Sequence, residues 1–170
     1  MKKILLSIGG LVVVGVGYWL LSPFWRVEYV SEALPEALPA VELPRETSVP
    51  ATDAPVMQKP VVDEVRVLKT GTFTGFDKVH TGSGTARLIE VGGKTYIRFE
   101  QDFSVNNGPD LYVGLGKGGE YIKGSELGEL KGTVGSQNYE LPAGMSATGV
   151  TEVWVWCKAF SVPFAKAELR

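Results

Sequence analysis

Cys157 is the only cysteine in this chain of 170 residues. A single cysteine cannot close a disulfide within the chain, and it excludes a C-x-x-C motif and any cysteine zinc cluster. A free cysteine is often buried as a small apolar residue, whereas a reactive thiol needs a lowered pKa and some exposure. The adjacent Lys158 would lower that pKa only at a bulge, because neighbours in a strand point to opposite faces. The residues alone leave both a structural and a reactive role open for Cys157.

His80 is the only histidine, which excludes zinc sites built on paired histidines. With the carboxylates of Asp77 and Asp110 it could form a site for a metal ion or a prosthetic group. The alternative is a turn stabilised by side-chain bonds to the backbone. Asn107 and Asp110 also offer oxygen atoms, but their spacing is not that of an EF-hand loop and favours a capped turn. We therefore assign no metal site, and keep Asp77, Asn107 and Asp110 as a candidate surface.

The stretch from Val153 to Phe164 carries Cys157, and the rest of the chain is organised around it. Its first part is apolar at nearly every position, which is typical of a strand covered on both faces. In a regular strand Trp154 and Trp156 share one face, with Cys157 on the other. Because aromatic side chains dominate core energetics, we expect four of them to be mostly buried: Trp154, Trp156, Phe160 and Tyr139.

Residues 66–170 are predicted to form one all-β domain. Seventeen of the 21 glycines lie from Gly71 onward, and they separate short runs of β-type residues. Gly92-Gly93 between two such runs indicates a tight hairpin. No window has the periodicity of a long amphipathic helix. Many short strands separated by turns favour an antiparallel β-sandwich or a barrel-like fold.

Residues 1–25 are predicted to be a transmembrane signal anchor. After two lysines, Ile4 to Trp25 runs without a charge, and 22 helical residues span ~33 Å, enough for a bilayer core. The lysines favour a cytoplasmic N-terminus, so the protein is expected in the cell membrane as a single-pass protein with its C-terminal domain extracytoplasmic. A signal peptide cleaved after Ala33 is the alternative, but small residues do not follow the apolar run directly.

Residues 26–65 are predicted to be a proline-rich, extended linker. The segment from Arg26 to Thr70 holds six prolines and no glycine, which is incompatible with a continuous helix or a central strand. Proline-rich segments are semi-rigid spacers. We therefore expect a stalk, and we expect the β domain to fold without it.

Several sequence motifs follow one another between Gly71 and Leu169: Gly71-Thr72-Phe73-Thr74-Gly75-Phe76-Asp77, Tyr96-Ile97-Arg98-Phe99, Asn107-Gly108-Pro109-Asp110-Leu111-Tyr112-Val113, Gly135-Ser136-Gln137-Asn138-Tyr139 and Trp156-Cys157-Lys158-Ala159-Phe160. In these motifs and their order the β region resembles the DM-thirteen domain, a family regarded as an electron-transfer module, which occurs beside DOMON domains in animals and also in bacterial envelope proteins. The resemblance implies redox chemistry at Cys157, either as a bare thiol or by holding a prosthetic group such as haem. Since haem iron can be held by thiolate or by imidazole, Cys157 and His80 are the candidate axial ligands. Gly114 and Gly116 depart from the family, whose members more often carry larger residues there.

Two hypotheses of function follow from these residues. The first is a membrane-tethered, extracytoplasmic redox or electron-transfer domain that uses Cys157 and receives electrons from a partner protein. The second is a non-catalytic cell-surface module that binds a ligand or protein and has a structural cysteine. The formal net charge is −2 and no basic patch is visible, so no nucleic-acid partner is expected. Whether the chain is an enzyme is left open.

Overall fold

The structure is a computed structural model that describes residues 15–18, 27–35 and 64–170. Residues 15–18 are helical, and the other two ranges are built from strands and one short 3-10 helix, Ala147–Gly149. The twelve strands are β1 (Tyr29–Ser31), β2 (Arg66–Gly75), β3 (Gly82–Ser83), β4 (Thr85–Val91), β5 (Lys94–Phe99), β6 (Ser104–Val105), β7 (Leu111–Lys117), β8 (Glu120–Tyr121), β9 (Gly128–Glu129), β10 (Val134–Glu140), β11 (Glu152–Cys157) and β12 (Val162–Glu168). The predicted all-β class is confirmed.

The predicted membrane span is not seen in the described residues, where no helix has the length and apolarity that crossing a membrane requires. Of residues 4–25 the structure describes only 15–18. Most of the predicted linker, residues 36–63, also lies outside the described residues. These two predictions therefore stay predictions.

The strands form one continuous sheet in the order β3-β6-β10-β5-β4-β2-β12-β11-β7-β8, with β1 joined to β10 and β9 joined to β7. Every pair in the described residues is antiparallel except β1 with β10, which is parallel. The predicted hairpin at Gly92-Gly93 joins β4 to β5, and both glycines have positive φ, 56° and 73°. A tight hairpin turn with two positive φ values requires residues of this kind.

One core joins the two halves of this sheet. Phe99 and Tyr139 from β5 and β10 belong to the same cluster of buried residues as Val113 and Val155 from β7 and β11. Within it the Phe73 ring packs edge-on against Phe99, with ring centroids 4.7 Å apart. Apolar burial of this kind is the main favourable term in folding.

The strand β11 lies between β7 and β12, and its first four residues are buried on both faces, as predicted for the first part of this stretch. Trp154 and Tyr139 are buried, but Trp156 is only half-buried and Phe160 is 66% exposed. The expectation for Phe160 is wrong because β11 ends at Cys157, which pairs directly with Val162. Residues 158–161 form the turn between the two strands, so Phe160 lies outside the sheet.

Part of the predicted linker is a strand of the β domain. The parallel pairing of β1 places Tyr29 opposite Val134 and Ser31 opposite Ser136. Val30 lies in a groove formed by Gly132 and Gly135, at and just before the start of β10. A Cβ atom would lie 2.4 Å from the nearest Val30 atom if added to Gly132, and 2.1 Å if added to Gly135. Residues 28–33, which we call the strap, therefore pack against the β domain.

The Glu32 carboxylate fixes the end of the strap. It accepts hydrogen bonds from the Lys131 ammonium at 2.7 Å and from the Asn138 backbone N–H at 2.7 Å. The buried Arg98 guanidinium donates to the backbone carbonyls of Glu32 and Ala33. Partial burial alone would raise the pKa of Glu32, but the hydrogen bonds from Lys131 and Asn138 outweigh it, and the pKa is lowered overall.

Candidate functional site

The Cys157 thiol lies at the inner face of the sheet, at the last position of β11. It is free and has no exposed surface. Its cross-strand partners are Leu111 on β7 and Val162 on β12. Directly paired side chains on one face of a sheet are neighbours, so the thiol is packed between two aliphatic groups.

The Lys158 ammonium does not face the thiol. It lies 4.6 Å from the centre of the Tyr112 ring, on the outer side of the sheet, and Lys158 is exposed. The Lys158 N–H donates to the Asp110 carbonyl at 2.9 Å, which ties the start of the turn to the loop before β7. The expected alternation of neighbouring side chains is therefore what the structure shows, although a bulge does occur between Val155 and Trp156 in the pairing of β11 with β12.

Asp77 and His80 form a turn closed by side-chain bonds. The Asp77 Oδ1 atom accepts the backbone N–H groups of Val79 and His80, each at 2.7 Å, and Oδ2 is 2.7 Å from His80 Nδ1. The hydrogen bond with the His80 side chain is the largest cause that lowers the pKa of Asp77. This geometry is that of the capped turn, the alternative that the sequence left open.

The loop of residues 106–110 is bonded to that turn. The Asn106 side chain accepts the N–H of Thr81 at 2.8 Å and donates to the Val79 carbonyl. The Asn107 side chain accepts the N–H of Gly108 at 2.9 Å. No cluster of three His, Cys, Asp or Glu side chains able to hold a metal ion occurs in the part of the chain that the structure describes.

A cleft of about 410 Å³ opens between this loop, the His80 turn and the turn after β11. We call it the His80 cleft, and its lining residues are Val79, His80, Asn106, Asn107, Gly108, Pro109, Phe160, Val162 and Phe164. The His80 ring packs edge-on against Phe164, with centroids 4.7 Å apart. Val162 belongs both to the cleft and to the apolar shell of the core, so the cleft floor adjoins the residue that pairs with Cys157.

The candidate residues are thus partly brought together. His80 and Asn107 line the same cleft, and Asp77 holds His80 in place. Asp110 lines a neighbouring hollow of about 310 Å³ that shares Asn107, Gly108 and Pro109 with the cleft. Cys157 lies below the cleft rather than in it, because its side chain is fully covered.

Haem does not fit between Cys157 and His80 in this arrangement. Iron binds an axial ligand directly and therefore needs open space beside the ligand atom. The Cys157 side chain has no exposed surface, whereas His80 lines an open cleft and its Nδ1 is engaged by Asp77. The two candidate axial ligands do not share an open space.

A group of aromatic side chains on the outer face of β11 was not foreseen. The Tyr121 ring stacks on Trp156, with centroids 4.5 Å apart and planes 4° apart, and Phe76 packs against Trp154 at 5.0 Å. These four rings line a cleft of about 740 Å³, which we call the aromatic cleft. Burial, followed by the nearby Glu126 carboxylate, raises the pKa of Tyr121 to about 12.

Two glycines of β7 make room for these rings. A Cβ atom on Gly114 would lie 2.7 Å from the Tyr121 ring, and one on Gly116 would lie 2.0 Å from Trp154 Nε1. The same indole N–H donates to the buried Glu152 carboxylate at 2.9 Å. The alternation of Gly114 and Gly116 in a strand was the sequence signal for a closely approaching ring.

The fold and the site define a class of protein: a small antiparallel β domain with one covered thiol below a cleft. A family model described as "Electron transfer DM13" matches residues 72–169, which is more than half of the chain, and the chain belongs to this family. The resemblance seen in the sequence motifs is thereby confirmed for the β domain. The comparison with curated proteins gives no match, and the comparison with solved structures gives none either.

Proposed function

We propose that this chain is a membrane-tethered, extracytoplasmic electron-transfer domain in which Cys157 acts as a bare thiol. The family match supports an electron-transfer role for the β domain. The observation that carries the assignment to Cys157 is its place in the fold. The thiol is the last residue of β11, directly before a four-residue exposed turn and one strand pair from the floor of the His80 cleft.

Local opening of this turn exposes the thiol. Ser161 closes the turn with φ of 54°, and a non-glycine residue in this conformation costs about 1–2 kcal/mol. Such strain lowers the free energy needed to open the turn relative to that of the whole domain, and local openings of this kind span a wide range of free energies. Separation of Val162 from its strand partner Cys157 would then uncover the sulfur from the cleft side.

The chemistry is thiol–disulfide exchange between two other proteins. Cys157 loses its proton to solvent, and the thiolate attacks one sulfur of a partner disulfide; the partner's second sulfur leaves as a thiolate. A dithiol protein then attacks the Cys157 sulfur with its first thiolate, which releases the reduced partner. The second thiolate of the dithiol protein then attacks its first sulfur, which forms a disulfide within that protein and releases Cys157 as a thiolate. Two electrons pass from the dithiol to the disulfide, and no second cysteine of this chain is required.

The test is to trap the mixed disulfide in membranes of the cell that makes the full chain. Acid quenching and alkylation, followed by a non-reducing gel, should show discrete adducts that are absent in Cys157→Ser. The matched control is Cys157→Ala combined with Ala159→Cys, which moves the thiol to an exposed position of the turn. No adduct from the wild-type chain, or the same adducts from the control, would overturn the redox assignment.

The tether is supported by the strap. Cleavage after Ala33 would remove β1 and with it the Glu32 bonds to Lys131 and Asn138. A domain that uses these bonds is expected to keep residues 28–33, which disfavours a signal peptide cleaved after Ala33. N-terminal sequencing of the membrane fraction tests this, and a mature chain that begins at Leu34 would contradict it.

The second candidate function is a binding module, and the aromatic cleft is the observation that favours it. Apolar clefts of several hundred Å³ lined by aromatic side chains are typical small-molecule sites, and this one is edged by Glu120, Lys123 and Glu126. In that case Trp156→Ala would abolish the biological activity while Cys157→Ala preserved it. The redox assignment requires the opposite pattern from the same pair of variants.

A further inference from the structure

The loop of residues 106–109 is the common rim of two hollows at one end of the β domain. On one side of it lies the His80 cleft, and on the other lies the hollow lined by Glu28 and Asp110. The rim therefore joins the candidate redox site to the beginning of the strap.

The strap enters the domain at this same end. The Glu28 N–H donates to the Thr133 hydroxyl at 3.0 Å, and the Glu28 carbonyl accepts the Val134 N–H at 3.1 Å. The next bond inward, from the Val105 N–H to the Thr133 carbonyl, lies directly before the rim. Because β1 runs parallel to β10, the chain enters beside the rim and moves away from it along β10.

In the sequence, the predicted membrane span ends two residues before Val27, the first described residue of the entering chain. Trp25 is the last residue of the apolar run, and only Arg26 separates it from Val27. Two residues of extended chain cover about 7 Å. The proline-rich residues 36–63 come after β1, so they do not set the distance between the span and the β domain.

Large apolar side chains are exposed at this end of the molecule. Val27 and Tyr29 of the entering chain are 57% and 77% exposed, and Val79 and Phe160 at the mouth of the His80 cleft are 67% and 66% exposed. A patch of exposed apolar groups marks an interaction surface. Tyrosine and phenylalanine together with aliphatic groups also suit the interface between lipid headgroups and acyl chains.

We infer that the end of the domain formed by the strap entry, residues 106–109 and the mouth of the His80 cleft docks on the surface of the bilayer that holds the chain's own anchor. The inference rests on the membrane tether proposed above. The strap, rather than a stalk, holds the domain, and the cleft above Cys157 faces the headgroups. A disulfide or dithiol partner of Cys157 then meets it at the membrane surface.

The test places a fluorescent label at single introduced cysteines of the full chain in phosphatidylcholine–phosphatidylglycerol nanodiscs. Val79→Cys and Phe160→Cys report the docking end, and Met145→Cys is the control. Met145 lies in the hollow beside Glu140 at the other end of β10, about 20 Å away at the usual rise of a strand. Every labelled variant also carries Cys157→Ala, because opening of the turn would let the native thiol react, and the Cys157→Ala chain without an introduced cysteine gives the background.

Lipids with a quencher on the acyl chain near the headgroup should quench the labels at positions 79 and 160 and leave the label at 145 bright. Equal quenching at all three positions, or none at 79 and 160, would overturn the inference. Val30→Asp provides an internal check, because a charge in the Gly132–Gly135 groove should release the strap and remove the quenching at position 79. Persistent quenching in Val30→Asp would show that the strap does not set the orientation.

The outcomes of this experiment distinguish an error in the docking inference from an error in the proposed redox function. If the full chain does not stay in the nanodisc, the tether is wrong and the docking inference falls with it. If the labels report docking but no mixed disulfide is ever trapped at Cys157, the redox chemistry is wrong and the docking surface stands.

Discussion

The two faces of β11 differ in how far their side chains are exposed, and the alternation of residues in the sequence does not predict this difference. On the inner face Val153, Val155 and Cys157 have no exposed surface. On the outer face Trp154 is covered by other rings, and Trp156 is half-buried beside an open cleft. The largest side chains of the strand thus lie outside the shared core, and the only thiol lies inside it. The proposed opening of the turn would therefore admit a reagent to Cys157 past the end of the strand and not through either face.

The largest expected effect comes from removing the covered ring of the outer face. Trp154→Ala should lower the free energy of unfolding by ~3–5 kcal/mol, as is usual for a buried aromatic. The loss includes its packing with Phe76 and the bond from its indole N–H to Glu152. Trp156→Ala, on the same face but half-buried, is the matched comparison and should cost less in a denaturant titration. Equal costs would mean that the outer face is as closed as the inner one.

A smaller loss is expected when the space for that ring is filled. Gly116→Ala places a methyl group against Trp154 Nε1 and should destabilise the domain by ~1–3 kcal/mol, as overpacking does. Gly149→Ala is the control, because a Cβ atom there meets no atom within 4 Å. The measurement is the midpoint of urea unfolding for both variants. A neutral Gly116→Ala would refute the close approach of the indole to β7.

On the inner face, the expected effect of changing Cys157 depends on polarity. Cys157→Ser buries a hydroxyl that is imperfectly paired by hydrogen bonds, and it should lower the free energy of unfolding by ~1–3 kcal/mol. Cys157→Ala removes only one sulfur atom from the core and is expected to cost less. Thermal unfolding of the two variants checks the order. A serine variant as stable as the alanine variant would show that water or a polar group reaches position 157.

The strap offers a pH test at an edge that touches neither face of β11. Since the pKa of Glu32 is lowered from 4.5 in the folded chain, its contribution is fully present above that value. The contribution is lost as the pH falls through the lower, folded-state pKa. The protection of the Asn138 N–H against hydrogen exchange, corrected for the intrinsic pH dependence of amide exchange, should therefore fall as the pH drops below the ordinary pKa of a glutamate, and Glu32→Gln should remove this dependence. Equal pH dependence in both chains would mean that Glu32 does not hold the strap.

The smallest effect is expected at the tip of the turn. Phe160→Ala should change stability by no more than about 0.5 kcal/mol, because its ring is mostly in solvent. The same variant should weaken quenching by lipid at a label on position 79 if the exposed ring contacts the bilayer. A large loss of stability would mean that Phe160 is packed in the core, and that the turn is as buried as the strand before it.

Local patterns predicted much of the fold, and distant contacts account for what they missed. The alternation in β11 and the glycine pair of the β4–β5 hairpin are local signals, so the faces of Trp154 and Cys157 and the hairpin were foreseen. Phe160 was predicted to be buried but is exposed, because nothing in an apolar run marks the residue at which the strand ends. The strap was missed because its groove is formed by Gly132 and Gly135, about a hundred residues later in the chain.

In the candidate site, too, local signals were visible in the sequence and contacts between distant residues were not. The Asp77–His80 turn was among the sequence interpretations because its bonds span three residues. That His80 and Asn107 share a cleft depends on the Asn106 bonds across to Thr81, which the sequence does not reveal. The cover over Cys157 likewise comes from strands far apart in the chain.

The most direct test of the account is the rate at which Cys157 of the folded full chain reacts with a small aromatic disulfide. The rate should be compared with that of global unfolding, measured on the same chain under the same conditions. Opening of the 158–161 turn predicts reaction well before global unfolding, and an acceleration in Val162→Ala, which removes part of the cover, beyond the loss of global stability in that variant. Reaction only at the rate of global unfolding, in both chains, would show that Cys157 is a structural residue and would contradict the proposed electron transfer through its thiol.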